Sequence, residues 1–385
     1  MFLRKYRSII ADIDSISETY LDRVGVIKHK LPTDPGIGED AWFYRLNRFQ
    51  RQETKKQAEY KRRKWRTVDD GVWSKNKAYS YPHILPDGYI EYNFAPVLLP
   101  HLKAYLDSCD IQLHSEILNL RSSQACCWNF FFSLRQDLDI ASKALRFLLT
   151  GVKRVLDIEF EYTGPDSATG WLGEPPKGKR GQNRTSADAT IWWTDNLGQN
   201  NLTVVEWKYT EAEFGSCGGH NSNNNCHKDK CRNLHVGNMS PNQDCYLARG
   251  NSLECNRRYW EHLKFAGISL SSFTGKAGCP FIGPFNQLMR LQLLAAYTKS
   301  HDKNLDRAEV TVICFKDNIE LLKIPNNLAW LAVSIPEAWR RLLADEGSFR
   351  TVFIEDIIRD ACKHTKIKKS AWMQYFIERY SLEGK

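Results

Sequence analysis

Residues 187–208, with the sequence ADATIWWTDNLGQNNLTVVEWK, form two strand-like segments joined by a short polar loop. Both segments are rich in β-branched and aromatic residues, a composition that favours β-strands, and a short polar connection favours an antiparallel hairpin. Residues that face each other across such a hairpin have position numbers with a constant sum. If the turn centres on Leu197 or Gly198, Asp188 lies opposite Glu206 or Lys208.

The hairpin brings together side chains that can bind a metal ion. Side chains alternate between faces along a strand, so Glu206 and Lys208 share one face and Asp188 joins them across the ladder. Two facing carboxylates repel each other unless a cation lies between them, and Mg²⁺ prefers such oxygen ligands. We therefore expect Asp188 and Glu206 to bind Mg²⁺ or Mn²⁺. Lys208 would orient or help to deprotonate water and stabilise charge on a phosphate.

The tripeptide E-x-K is weak evidence by itself, because the chain contains four copies, at Glu53, Glu59, Glu206 and Glu383. Only Glu206 follows an apolar run, LTVV, in a strand that pairs with an earlier aspartate. The alternative for this copy is a salt-bridged edge hairpin whose polar face meets solvent.

The segments around the hairpin predict an α/β fold. Helices are predicted for SSQACCWNFFFSL (122–134), ASKALRFLL (141–149) and PFNQLMRLQLLAAYTK (284–299). Further strands are predicted for RVLDIEFEYTG (154–164) before the hairpin and AEVTVICFK (308–316) after it. The order is helix, three-stranded antiparallel meander, insertion, helix and further strand.

This order resembles the core of the PD-(D/E)xK nuclease superfamily. The segments SSQACCWNFFF, RTSADATIWW, VVEWKYTEAEFGSC and GCPFIGPFNQLMR resemble in particular its branch of uncharacterised bacterial restriction endonucleases, over roughly residues 81–299. The resemblance implies a restriction-endonuclease-like core and a Mg²⁺-dependent phosphodiesterase acting on DNA, with Asp188, Glu206 and Lys208 at the signature positions. Ala187 stands where the literal motif has proline, a change that leaves the ligand intact.

Three further residues are candidates for the same site. Nucleases of this superfamily often add an acid from the first helix or strand, which here is Glu161, with Glu159 on the same face as the alternative. Gln124 and Gln287 lie on helices expected to flank the site, where either amide would bind phosphate or water. A solvent-facing strand acid and helix-capping or surface amides are the simpler interpretations.

Six of the eleven cysteines lie between residues 214 and 283, a stretch rich in Gly, Asn and Ser. Such a stretch has little apolar surface to bury, and a metal bound by four thiolates would stabilise it. We predict a structural site at Cys217, Cys226, Cys245 and Cys279, with Cys231 or Cys255 as substitutes. Zinc suits a closed thiolate site, and a [4Fe–4S] cluster is the rival. Scattered buried thiols are the alternative, and Cys126 and Cys127 are predicted core residues.

The charge distribution favours an anionic partner. The chain has 54 Lys and Arg against 45 Asp and Glu, and residues 45–66 carry ten basic and two acidic residues interleaved with aromatics. This segment is either a DNA-facing arm or a solvated basic helix. We find no apolar run of membrane-spanning length and no secretory signal pattern, so a cytoplasmic location without membrane association is expected.

We expect four parts: a basic, partly helical N-terminal extension (1–100), the first part of the nuclease core (101–210), the cysteine-rich insertion (211–283), and the remaining core with C-terminal α/β elements (284–385). The predicted function is Mg²⁺-dependent DNA endonuclease activity in restriction or phage defence. The alternatives are a non-catalytic, metal-stapled nucleic-acid-binding protein and an RNA-directed nuclease with the same site. A double-strand break often requires a homodimer, although no segment identifies a dimer surface.

Overall fold

The computed structural model describes residues 43, 45–73, 76–109, 111, 113–165, 168–175, 184–238, 240–248 and 256–382. Residues 1–42 of the predicted N-terminal extension and one candidate ligand, Cys255, lie outside these residues. Residues 47–385 form one compact unit, to which the following description applies. The part boundaries expected at residues 100, 210 and 283 stay predictions.

A five-stranded mixed sheet forms the centre of the unit, and a separate antiparallel pair, β1 (Gly71–Trp73) and β2 (Asn76–Tyr81), precedes it. The strands of the five-stranded sheet lie side by side in chain order. The second strand is antiparallel to both the first and the third, and the last two strands run parallel to the third. They are β3 (Val152–Tyr162), β4 (Ala187–Asp195), β5 (Asn200–Trp207), β6 (Arg307–Cys314) and β7 (Phe349–Phe353). The predicted meander and further strand are present, and β7 is an addition.

Helices cover both faces of this sheet. Those of seven or more residues are α1 (Arg48–Lys64), α2 (Leu99–Ser108), α3 (Ser123–Gln136), α4 (Leu138–Ala144), α5 (Phe285–His301), α6 (Ile354–Ala361) and α7 (Ala371–Arg379). Shorter α-helices are Ala168–Leu172, Gly218–Asn221, Lys228–Arg232, Pro241–Asp244, Tyr259–His262, Ile319–Leu322, Ile335–Arg340 and Thr365–Lys368. Short 3₁₀-helices are Ile90–Asn93, Pro96–Leu98, Val236–Asn238, Ser271–Phe273, Asn326–Leu328 and Glu346–Ser348. Among the helices that the structure describes, none has the length and apolar character needed to cross a bilayer.

Capping residues explain why the predicted helical region splits into α3 and α4. The Ser122 side chain accepts a hydrogen bond from the Ala125 N–H and starts α3. Asp137 leaves the helical conformation, ends α3, and its carboxylate accepts from the Ile140 N–H to start α4. Side-chain oxygens at these positions satisfy backbone donors that have no partner within the helix.

The sheet separates two apolar cores. Val205 and Trp207 of β5 pack on the side of α3, α6 and α7, whereas Leu202 and Val204 pack on the side of α5. A strand buried on both faces is apolar in both sets of alternating positions, as expected for a sheet covered by helices. Because Glu206 has the same parity as Leu202 and Val204, it lies on the α5 side.

The basic segment forms the helix α1, and its role as a DNA-facing arm stays a prediction. Asn47 and Gln50 form a capping box at its start. One face packs into the protein, where the buried Gln57 amide donates to the Tyr209 hydroxyl over 2.9 Å. The buried Lys61 ammonium donates to the Ile84 carbonyl over 3.0 Å. The opposite face exposes basic residues, which include Arg48, Lys55, Arg63 and Lys64.

Removing the Phe130 ring should destabilise the core below the hairpin. Its ring centroid lies 5.6 Å from that of Trp207 and 5.2 Å from that of Phe376, and the side chain is fully buried. Phe130→Ala should lower the free energy of unfolding by about 3–5 kcal/mol because it leaves a cavity. Phe147→Ala, at a half-exposed site, should cost less than about 1 kcal/mol in urea denaturation. Equal losses would contradict this packing.

Candidate active site

The register of the hairpin places Asp188 opposite Glu206. Ala189 pairs with Val205 and Leu202 with Trp192, so the turn centres on position 197. The Trp207 N–H donates to Asp188 Oδ2 over 2.7 Å, which holds this carboxylate at the end of β5. The sequence allowed Asp188 to lie opposite Glu206 or Lys208, and the structure adopts the register that pairs Asp188 with Glu206.

Lys208 lies against the second of these acids. Its Nζ is 2.9 Å from Glu206 Oε1, and both side chains are buried. The Lys208 N–H donates to the Ile313 carbonyl over 2.8 Å, which continues the pairing toward β6 just beyond the end of β5. The Lys208 backbone is therefore held by its bond to Ile313, and the Lys208 ammonium is held by its ion pair with Glu206.

Burial and like charge act together on the carboxylates. Burial raises the pKa of Asp188 well above its usual value, and the nearby Glu206 and Glu161 carboxylates raise it further. Burial also raises the pKa of Glu206, while Lys208 opposes that shift. For Lys208, burial alone would lower the pKa, but Glu206, Glu211 and Asp188 outweigh it and raise the pKa. The lysine therefore remains an ammonium ion.

Glu161 completes the acidic cluster from β3. Phe160 pairs with Ala189 and Tyr162 with Ala187, so Glu161 faces Asp188 in the ladder. Its backbone has φ of 50°, in the left-handed region that residues other than glycine rarely adopt. Such strain persists only where the surroundings enforce it and is common at functional sites.

Amide and hydroxyl groups hold the Glu161 carboxylate in place. The Gln124 Nε2 donates to Glu161 Oε1 over 2.7 Å, and the Ser186 hydroxyl donates to Oε2 over 3.4 Å. The alternative acid, Glu159, instead accepts from Trp192 Nε1 over 2.6 Å. Glu159 is not among the groups that shift the pKa of Asp188. The structure thus brings Glu161 and Gln124 to the site and places Glu159 elsewhere on the strand.

Gln287, on the first turn of α5, orients Glu206. Its Oε1 accepts from the Gly215 N–H over 2.7 Å, and its Nε2 donates to Glu206 Oε1 over 2.7 Å. The Gln287 amide therefore links β5 to the segment that follows it. Because Lys208 uses the same Glu206 oxygen, Glu206 Oε2 is the oxygen that these two donors leave available.

Arg290 is a site residue that sequence reasoning missed. Its Nε donates to the Thr185 hydroxyl over 2.9 Å, and its charge lowers the pKa of Glu206. A small cavity of about 20 Å³ is lined by Thr185, Ser186, Gln287 and Arg290. Residues three apart on a helix share a face. The spacing between Gln287 and Arg290 was therefore a signal available from sequence.

Four of the cysteines in the insertion come together. Cys217, Cys231, Cys245 and Cys279 line one cavity, whereas Cys226 is exposed and does not line it. Burial raises the pKa of Cys279 well above its usual value, and Cys245, Cys217 and Cys231 add to the shift. Within the described residues, no three His, Cys, Asp or Glu side chains converge closely enough to hold a metal ion as they stand. Cys126 and Cys127 are fully buried core residues, as predicted.

The fold and the site define an α/β protein whose mixed sheet carries a buried cluster of carboxylates and a lysine. A family model described as "Restriction Endonuclease associating with ARP" matches residues 54–381. The chain therefore belongs to this restriction endonuclease family, which confirms the predicted resemblance at that level. Membership suggests a nuclease, a hydrolase of phosphodiester bonds, with DNA as its substrate. No curated protein and no solved structure matches the chain.

The backbone strain at Glu161 predicts an unusual order of stability. Glycine in a strand is normally less stable than alanine, but at positive φ glycine relieves strain of about 1 kcal/mol. Glu161→Gly should therefore be more stable than Glu161→Ala in urea denaturation, although both lack the carboxylate. At Glu159, on the same strand, the glycine variant should be the less stable of the pair. The same order at both positions would contradict the strained geometry.

Proposed function

We propose that this protein is a PD-(D/E)xK endonuclease that hydrolyses DNA phosphodiester bonds with Mg²⁺, or Mn²⁺ in its place. The observation that carries the proposal is the convergence of Asp188, Glu206 and Lys208, with a Lys208 Nζ to Glu206 Oε1 distance of 2.9 Å. Membership in a restriction endonuclease family supports the choice of DNA and a role in restriction or phage defence.

The donor set at this site fits a hard divalent cation. The Glu206 and Glu161 carboxylates both raise the pKa of Asp188, and Lys208 contributes one ammonium. This excess of negative charge opposes binding of a phosphate group unless a cation is present. Carboxylate oxygens are the ligands that Mg²⁺ prefers, and Asp188 and Glu206 would hold it. When bound, Mg²⁺ supplies Lewis-acid stabilisation of the phosphate and lowers the pKa of water.

Side chains at the site stabilise the developing charge, orient the metal ligand and bind the phosphate. Lys208, kept protonated by its acidic neighbours, donates hydrogen bonds and stabilises negative charge that develops on the phosphate. Gln287 fixes the orientation of Glu206 through its 2.7 Å hydrogen bond. Arg290 lies beside Gln287 at the small cavity and would bind a neighbouring phosphate oxygen. Preorganised donors of this kind act without reorganisation during the reaction.

The α1 helix has a basic exposed face and packs against the chain directly after Lys208. Gln50 Nε2 donates to the Thr210 carbonyl over 2.8 Å, and Gln57 Nε2 bonds Tyr209, so α1 packs on the residues directly after Lys208. Its exposed face carries Arg48 and Lys55. Basic residues that neutralise phosphates supply most of the sequence-independent affinity for DNA. We assign to this face the delivery of the DNA backbone.

Replacing Lys208 should separate cutting from binding. Purified wild-type protein should cut DNA with Mg²⁺ or Mn²⁺ and not with EDTA. Lys208→Ala should lower the cleavage rate at least about 100-fold, because a preorganised charge is lost from the transition state. Lys363→Ala, at an exposed lysine, should cut at the wild-type rate.

Two results would overturn this assignment. Equal cleavage by Lys208→Ala and wild type would remove Lys208 from the reaction. Tight DNA binding without cleavage under any divalent metal would favour the non-catalytic alternative. An RNA substrate run in parallel decides between the two nucleic acids, because cleavage of RNA alone would support the RNA-directed alternative.

The basic face of α1 should control the salt dependence of DNA binding. In a Lys208→Ala background, which prevents cutting, Arg48→Ala combined with Lys55→Ala should weaken binding. The slope of log affinity against log salt should fall in magnitude by about 1.8, at about 0.9 for each lost phosphate contact. Arg146→Ala combined with Lys363→Ala removes the same charge elsewhere and should leave the slope unchanged. Equal slopes for all three proteins would exclude α1 from the DNA interface.

A further inference from the structure

The strongest unexplained feature of the protein is the cavity lined by Cys217, Cys231, Cys245 and Cys279. These cysteines come from four separate segments of the insertion, yet they surround one space of about 20 Å³. A cavity of this size has room for a single water-sized or ion-sized occupant. Apolar side chains, which include Leu234, Trp260 and Ile282, form much of the remaining lining.

Three of the four cysteines each begin a tight turn of the chain. The Asn221 N–H donates to the Cys217 carbonyl over 3.1 Å, and the Ala248 N–H donates to the Cys245 carbonyl over 3.0 Å. The Ile282 N–H donates to the Cys279 carbonyl over 3.3 Å. These turns fix the backbone that carries the three side chains at the cavity.

Backbone hydrogen bonds also tie three of the four segments, those of Cys217, Cys231 and Cys279, to one another. The Cys279 N–H donates to the Cys231 carbonyl over 2.7 Å, and the Gly278 N–H to the Leu234 carbonyl over 2.8 Å. The Cys217 N–H donates to the Ile282 carbonyl over 2.9 Å. The helices of this region have only four or five residues each, too few to be stable without further support.

We propose that Cys217, Cys231, Cys245 and Cys279 bind one Zn²⁺ ion as a closed tetrathiolate site that positions the catalytic carboxylate Glu206. Zinc prefers four thiolates in a tetrahedral arrangement, and the cavity fits one ion rather than a cluster of four irons and four sulfides. Binding requires the four side chains to turn inward toward the cavity. Cys231, predicted from the sequence as a substitute ligand, thus takes the place of Cys226.

The link to Glu206 runs through the start of the insertion, and this half of the inference rests on the proposed nuclease function. Gly215, two residues before Cys217, donates its N–H to Gln287 Oε1 over 2.7 Å. Gln287 in turn donates to Glu206 Oε1 over 2.7 Å. Cys217 follows Gly215 in the chain, and Cys279 lies shortly before α5, the helix that carries Gln287. Zinc bound by both cysteines therefore fixes the segment that bonds Gln287 and the segment that leads into its helix. Gln287 is thus a positioning residue for Glu206.

The zinc site is tested on the full chain by metal analysis and thiol mapping. We expect one zinc per chain after purification without chelator. We also expect zinc to protect Cys217, Cys231, Cys245 and Cys279 from alkylation, as mapped by mass spectrometry, while Cys226 is modified. Cys231→Ser should lose zinc and Cys226→Ser should retain it. Thiol mapping uses the unchanged protein, so it decides the case even if Cys231→Ser fails to fold.

Three results would overturn the zinc site. Protein without zinc that also fails to bind added Co²⁺ with a thiolate spectrum has no such site. Protection of Cys226 instead of Cys231 would refute the ligand set. Iron with broad visible absorption in anaerobically purified protein would replace zinc by an iron–sulfur cluster.

The positioning role is tested by the affinity of the active site for Mn²⁺, measured by calorimetry. Removal of zinc should weaken Mn²⁺ binding by about 10-fold to 100-fold, as should Gln287→Ala, because an orienting hydrogen bond to a ligand is lost. Unchanged Mn²⁺ affinity in zinc-free protein would overturn the positioning role. A protein that carries zinc on these four cysteines but neither binds Mn²⁺ nor cuts DNA would refute the proposed function while leaving the zinc site in place.

Discussion

The antiparallel pairing of Ala189 with Val205 is the constraint on which the rest of the site depends. This register brings Asp188 and Glu206 together, and burying charged groups near one another costs several kcal/mol unless partners offset it. The partners are present: the Trp207 N–H bonds Asp188, and Lys208 and Gln287 both bond Glu206. A slip of one residue would move these acids to the opposite face of the sheet. The same slip would also move the apolar residues of β4 and β5 out of their buried positions, so their burial maintains the register that forms the site.

The strand and helices around the hairpin contribute side chains to the site. Glu161 reaches the cluster from β3 through a left-handed backbone, and Gln124 at the start of α3 holds its carboxylate. On the other side, α5 contributes Gln287, which bonds Glu206, and Arg290, which bonds Thr185. The cysteine cavity and the acidic cluster are therefore neighbours in the chain's hydrogen-bond network, joined by Gly215.

Local pattern was sufficient to predict the hairpin and the strands beside it. A short loop leaves few registers, so counting limited the partner of Asp188 to Glu206 or Lys208, and the structure adopts the first. The composition of residues 154–164 and 308–316 predicted β3 and β6. Long-range contacts were not predictable in this way. β7 has only five residues, Phe349–Phe353, and is stabilised by pairing with β6, a strand far from it in the sequence. The cavity includes Cys231 rather than Cys226 because backbone bonds between distant segments, such as Cys279 to Cys231, decide which thiols meet.

The most direct measurement of the central claim is anomalous X-ray scattering from a crystal of the protein soaked in Mn²⁺. The account predicts an anomalous peak between the carboxylates of Asp188 and Glu206, with the Lys208 ammonium nearby and Gln287 still bonded to Glu206. The same crystals of Asp188→Asn should show no peak at that position. A well-ordered site without any peak in the soaked wild-type crystal, with Lys208 simply paired to Glu206, would contradict the assignment of these carboxylates as metal ligands.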